Sequence, residues 1–180
     1  MNSYVRDDID LSFINRIAVL PFENNSSDKY AASRIRNIAI TQILSLGLAD
    51  VIDKGLVDSV ILEEAVEANK PIDQMTLKRL GQRLNVQAFL MGNVDSSGTV
   101  RRGSMTFPSA ALTLRFVDAR AAKILWQASG YYSGETVMNR LFGLSPGDHF
   151  QISTTLVRRL LMTYPAPPPE ARQKEVEKDL

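Results

Sequence analysis

The 180-residue chain reads as one α/β domain, a mixed β-sheet with helices packed on its faces. Three observations carry that reading. Residues 14–22 hold a nearly continuous apolar run, Ile17-Ala18-Val19-Leu20, as a central strand covered on both faces requires. Residues 106–118 and 124–132 alternate apolar and polar side chains about a short turn, the pattern of an antiparallel hairpin. Between these strands lie segments whose apolar residues recur at the helical period. Strands and helices in such an order build a layered mixed sheet.

Residues 1–13 read as an extended arm, with Asp7, Asp8 and Asp10 too polar to pack. The domain spans 14–164. After the first strand, residues 24–28 form a loop in which Ser27 or Asp28 can accept from the free N–H groups of a helix over 29–46. Ile35, Ile38, Ala39 and Ile43 share one face of that helix, and Gly47 supplies its left-handed stop. A short strand at 49–53 precedes a helix over 56–68, with Val57, Val60, Ile61 and Glu64 at helical spacing. Pro71 breaks it, and Asp73 caps a further helix bearing Leu77, Leu80 and Leu84.

Residues 88–94 form a second central strand, and 95–102, with Ser96-Ser97-Gly98, reads as a flexible turn. In the hairpin, Leu112, Leu114 and Phe116 share one face opposite Thr113 and Arg115. Ile124, Trp126 and Ala128 then alternate with Gln127 and Ser129. Gly92 marks a close backbone approach or a bulge. Asp148 caps a last helix, with Gln151 at the capping-box position and a stripe of Leu156, Val157, Leu160, Leu161 and Tyr164. Pro165 ends it, and residues 165–180 are a proline-rich, charged tail.

Composition excludes more than it assigns. Apolar residues make up 44% and charged ones 23%, with 21 basic against 20 acidic, so nothing marks a polyanion such as nucleic acid as the partner. No apolar run reaches the length of a membrane-spanning helix. Cysteine is absent and histidine occurs once, which leaves no disulfide, no thiolate nucleophile and no cysteine–histidine metal set. His149 sits beside the cap Asp148 and reads as a solvated helix-start residue. Glu63 and Glu64 are adjacent on a helix, so their side chains diverge by about 100° and form no acid–base pair. Gly92, Gly98 and Gly103 are too dispersed to cradle a phosphate, and neither Ser129 nor Ser133 sits on a strand-to-helix elbow. Arg101 and Arg102 read as solvated. The expectation is a protein without catalytic residues, cofactor or metal.

Residues 137–144 are apolar where a surface loop is expected. Met138, Leu141, Phe142 and Leu144 either tuck under the domain or face a membrane or a neighbouring subunit. Both readings stand at this point.

Three stretches carry a family resemblance. They are Ile17-Ala18-Val19-Leu20-Pro21-Phe22 with Asn24; Gly81-Gln82-Arg83-Leu84-Asn85-Val86-Gln87-Ala88 leading to Gly92-Asn93-Val94; and Leu112-Thr113-Leu114-Arg115-Phe116-Val117-Asp118 followed by Ile124-Leu125-Trp126-Gln127-Ala128-Ser129. In this order and spacing, over residues 14–163, the chain resembles the CsgG-like bacterial outer-membrane lipoproteins. That superfamily includes the curli-secretion channel CsgG, the exopolysaccharide-export lipoprotein PelC and the penicillin-binding-protein activator LpoB. The resemblance implies a three-layer domain like the N-terminal domain of TolB, a periplasmic location, a lipid anchor in the outer membrane and often a ring-shaped homo-oligomer. It brings no catalytic residues. The lipidated cysteine of the family is missing from this sequence. No second pair of strands offers the roughly 9–11 alternating residues of a membrane hairpin, so the PelC-like and LpoB-like members match better than the channel. Two functions follow from the resemblance: an oligomeric scaffold in envelope export or assembly, and a monomeric regulator that docks on a periplasmic cell-wall enzyme.

Overall fold

The apolar run at residues 17–20 lies at the centre of two cores because its side chains alternate between them. A computed structural model describes residues 1–67, 70–103, 105–135 and 148–165. In chain order its elements are strand β1 (Asn2–Val5), a 3-10 turn (Leu11–Phe13), β2 (Arg16–Val19), β3 (Glu23–Asn24), helix α1 (Ala31–Ser45), β4 (Asp50–Val51), α2 (Lys54–Glu63), α3 (Gln74–Leu84), β5 (Ala88–Arg102), β6 (Met105–Asp118), β7 (Ile124–Ser133) and α4 (His149–Leu161). The strands form one sheet in the order β1-β7-β6-β5-β2-β4, with β3 beside β5. Strands β4, β2, β5 and β3 pair in parallel; β5, β6, β7 and β1 pair antiparallel. The mixed α/β architecture expected from the sequence is the one observed.

Helices α1 and α4 cover one face. Ile17, Val19, Leu90, Leu114 and Phe116 of the sheet meet Ile35, Ile43, Leu156 and Leu160 there. On the other face α2 and α3 bring Val57, Val60, Leu77 and Leu80 against Ala18, Leu20, Phe89 and Val117. Trp126, fully buried, anchors the first core: its Nε1–H donates to Thr163 Oγ1 at 3.0 Å, and its ring lies 5.4 Å from Phe116 and 6.0 Å from Tyr164. Helix ends follow local chemistry. Asp53, Asp73 and Asp148 each accept from the first free N–H groups of α2, α3 and α4. Gly47 (φ +57°) turns the chain out of α1, with Leu48 N–H donating to Ile43 O at 3.0 Å.

Several expectations are corrected. Residues 95–102 are not a turn but the second half of β5, paired with β6 out to Arg102↔Met105; a register shift between Val94 and Ser96 absorbs the irregularity. Residues 2–5 of the expected arm form the edge strand, with Asn2↔Ser129 through Val5↔Trp126 in register. In β7 a second shift, between Phe116 and Val117 on β6, puts both Leu125 and Trp126 in the first core and leaves Ile124 exposed. Helix α1 starts at Ala31, with Asp28 Oδ1 accepting from Tyr30 N–H instead of capping directly. Helix α2 stops at Glu63, just before Ala65 turns left-handed (φ 52°). Gly92 does mark a close approach: a Cβ there would lie 2.8 Å from the Phe22 ring.

Candidate interaction surfaces

Among the described residues, polar groups that could do chemistry are scattered or already engaged. His149 is exposed on the first turn of α4 beside Asp148. Glu63 pairs with Arg83, and Glu64 with Arg79 (3.0 Å) and Arg83 (3.1 Å). The Arg79 guanidinium, then that of Arg83, holds the Glu64 carboxyl below its ordinary pKa. Arg101 Nε donates to Gly103 O at 3.1 Å, and Arg102 pairs with Glu135 at 3.4 Å. Among the described residues no group of three His, Cys, Asp or Glu side chains could hold a metal ion, and no helix is long and apolar enough to cross a membrane.

One buried charge is structural. Arg36 on α1 is 3% exposed. Its Nε and Nη2 donate to Val19 O at 3.0 and 2.6 Å, and its Nη1 reaches Asp58 Oδ1 of α2 at 2.6 Å. Lys54 Nζ meets the other oxygen of Asp58 at 2.6 Å. Burial pushes the Asp58 carboxyl up, but Lys54 and Arg36 outweigh it and the net shift is downward. The cluster ties the last residue of β2 to helices on both faces of the sheet.

The two helical layers differ in kind. Helices α2 and α3 carry Lys54, Asp58, Glu63, Lys78, Arg79 and Arg83. Helices α1 and α4 carry no Asp, Glu or Lys, only Arg34, Arg36, Arg158, Arg159 and His149. Arg34 pairs with Asp28; Arg158 donates to Gln42 Oε1 at 3.3 Å; Arg159 lies 4.5 Å over the Tyr132 ring. A groove of about 420 Å³ separates the two helices, with Arg34, Asn37, Ile38, Thr41, Phe150 and Thr154 among its lining residues. Early residues of one helix meet early residues of the other, and Gln42 meets Arg158, so the helices run parallel. Phe150 is 62% exposed beside the groove, and Leu44, Tyr30 and Met162 are exposed on the same layer. Thr154 Oγ1 is buried without a hydrogen-bond partner. Asp28, Lys29 and Asp148 lie at the helix starts, but the two helices themselves, free of Lys, Glu and Asp and flanked by aromatic, Met and Arg side chains, have the composition of a protein–protein contact.

A second groove, of about 480 Å³, opens on the opposite face beside α2 and α3. Its apolar walls include Phe22, Ile61, Met91, Val117 and Ile124; Glu23 with Arg115 (3.9 Å) and Glu67 with Lys70 (2.6 Å) add charged pairs. The residues that the sequence singled out as a contact, Met138, Leu141, Phe142 and Leu144, lie outside the described residues. Sequence reading missed the α1–α4 layer. Its signal was present in the absence of Asp, Glu and Lys from both helices.

No protein family matches the sequence, and no curated protein resembles it in sequence. Solved structures share its fold. PelC from Paraburkholderia phytofirmans, a dodecamer, is similar at a TM-score of 0.60 and 17% identity, over 89% of this chain and 96% of that one. Lipoprotein GNA1162 from Neisseria meningitidis gives 0.59 and 19%, over 83% and 99%. The C-terminal domain of LpoB from Salmonella enterica gives 0.50 and 9%, over 65% and 81%. The class is thus an α/β domain with a PelC- and LpoB-like fold. At these identities the likeness is one of fold.

Proposed function

We propose that the chain is a non-enzymatic domain of the bacterial periplasm, tethered to the outer membrane by a lipid anchor, that assembles into a homo-oligomeric scaffold for envelope export or assembly. The observation that carries this reading is the α1–α4 layer, whose composition suits a subunit contact on a fold shared with the PelC dodecamer. The likeness to a meningococcal lipoprotein supports the tether. Engaged or isolated polar side chains, from Glu63 and Glu64 to His149, support the absence of catalysis. A ring of such subunits needs a head-to-tail contact, in which the layer meets a different surface of the next copy.

A second reading, a monomeric LpoB-like regulator of a periplasmic enzyme, draws on the apolar groove beside α2 and α3 as its docking site. Solution mass separates the two. Light scattering over a concentration series should show a discrete oligomer that the Leu44→Asp, Phe150→Asp double variant reduces to monomer with unchanged circular dichroism. A monomer at every concentration, for the lipidated protein on vesicles as well, would favour the regulator.

A further inference from the structure

At the end of the sheet where β2 and β5 begin and β6 ends, a cavity of about 590 Å³ opens to solvent, with Lys78, Gln82, Asn85 and Arg120 exposed along it. Its walls come from the second half of α3, the turn between β6 and β7, and Phe13 of the 3-10 turn. Gly81 makes this geometry possible: a Cβ there would lie 2.7 Å from Ala119 Cβ, so only glycine lets the β6–β7 turn close against α3. The cavity thus explains part of the stretch from Gly81 to Gln87 that stood out in the sequence.

The polar groups lining it are mostly donors. Lys78, Gln82, Asn85 and Arg120 line the cavity, and among the described residues none of their side chains has a hydrogen-bond or ion-pair partner. Elsewhere some cations meet carboxylates, as Lys70 does Glu67 and Arg79 does Glu64, while Arg101, Arg158 and Arg159 are engaged by a carbonyl, an amide and a ring. Gln87 turns its Oε1 to the Arg16 N–H at 2.8 Å, which leaves its NH2 to donate. The one lining carboxylate, Asp118, spends Oδ1 on the turn, accepting from the N–H groups of Arg120 and Ala121. Arg16 and Lys123, at the same end of the sheet, also have no carboxylate partner among the described residues. The carbonyl end of α3 attracts cations and accounts for Arg83 in its last turn, but Lys78 precedes that turn and Arg120 belongs to another segment. The result is a concave, donor-rich site with a half-open aromatic ring, Phe13 being 40% exposed.

We propose that this cavity binds an anionic sugar, a pyranose bearing a carboxylate or a phosphate. Lys78 and Arg120 hold the charge through charge-assisted hydrogen bonds. The amides of Gln82, Asn85 and Gln87 exchange hydrogen bonds with ring hydroxyls, and the C–H face of the sugar lies on the Phe13 ring. The inference rests on the cavity alone and stands apart from the oligomeric reading.

The test is a titration of the isotope-labelled full chain followed by amide resonances, with glucuronate and glucose 6-phosphate as probes and glucose and inorganic phosphate as controls. Either sugar acid should shift Gly81, Gln82, Asn85, Ala119 and Arg120; which of the two binds tells carboxylate from phosphate. Lys78→Met and Arg120→Met should each weaken binding about tenfold with unchanged circular dichroism, and Phe13→Ala should weaken the sugar acids but not inorganic phosphate. No shift with either sugar acid at millimolar concentration overturns the proposal. So do equal affinity for glucose, equal affinity for inorganic phosphate, and shifts that persist in the Lys78→Met, Arg120→Met double variant.

Discussion

Tyr164 packs its ring against Phe116 at 4.9 Å and leaves its hydroxyl buried without a partner. Burial pushes the phenol up to about 12 from an ordinary 10.0. The folded protein therefore holds this proton more tightly than the unfolded chain does. The contribution to stability is whole below the unfolded pKa and is lost as the pH rises toward the folded one, by up to about 3 kcal/mol. Tyr164→Phe should abolish that alkaline loss and, because it removes an unpartnered buried hydroxyl, raise stability by about 1 kcal/mol near neutral pH. Urea unfolding near neutral pH and at about pH 11 measures both effects; a variant as alkali-sensitive as the parent would contradict the account. Gly92 is the opposite case, a residue that matters for what it lacks. Gly92→Ala places a methyl group against the Phe22 ring and should cost about 1–3 kcal/mol by overpacking. Equal urea midpoints for the two proteins would show that Phe22 moves aside freely.

Helices α1 and α2 lie on opposite faces of the sheet, yet Arg36 and Asp58 join them at the end of β2. Removing one partner from a buried pair leaves an uncompensated charge. Asp58 is partly open to water, so Asp58→Ala should cost about 2 kcal/mol, below the range for fully buried pairs. Asp58 titrates below 3.8, so its stabilising effect is complete above that pKa and disappears as the pH falls through the lowered value. A parent and an Asp58→Ala variant with the same acid unfolding profile would refute this. The elements themselves were legible to differing degrees. Helix α3 and the stripe of α4 follow directly from period and caps, because Asp73 and Asp148 act locally. Residues 95–102 were not legible: Ser-Ser-Gly suggests a turn, and only pairing with β6 along its whole length, around the bulge after Val94, keeps them extended. Local propensity gave way there to a long-range ladder.

At the scale of the molecule, the two-sided core was written in the sequence as the unbroken run from Ile17 to Leu20, and the structure assigns alternate residues of it to alternate faces. Binding surfaces were less visible. Lys78 and Arg120 are separated by the whole of β5 and β6, and only the closure of the β6–β7 turn on Gly81 brings them to one cavity. Likewise α1 and α4 stand far apart in the chain and share a layer only because the antiparallel half of the sheet lies between them. The edge strand has a consequence for how the molecule assembles. β1 precedes the other strands in the chain, yet its partner β7 is the last of them, and the pairing consists of four residues from Asn2 to Val5. So short a ladder returns little for closing so long a loop. The sheet should zip outward from β5 and β6, with β1 last. Pulsed hydrogen exchange during refolding should protect the amides of residues 2–5 after those of the β5–β6 hairpin, and simultaneous protection would contradict this order. Until β1 comes back to it, the free edge of β7 is open to any strand that arrives first, including that of a neighbouring unfolded chain.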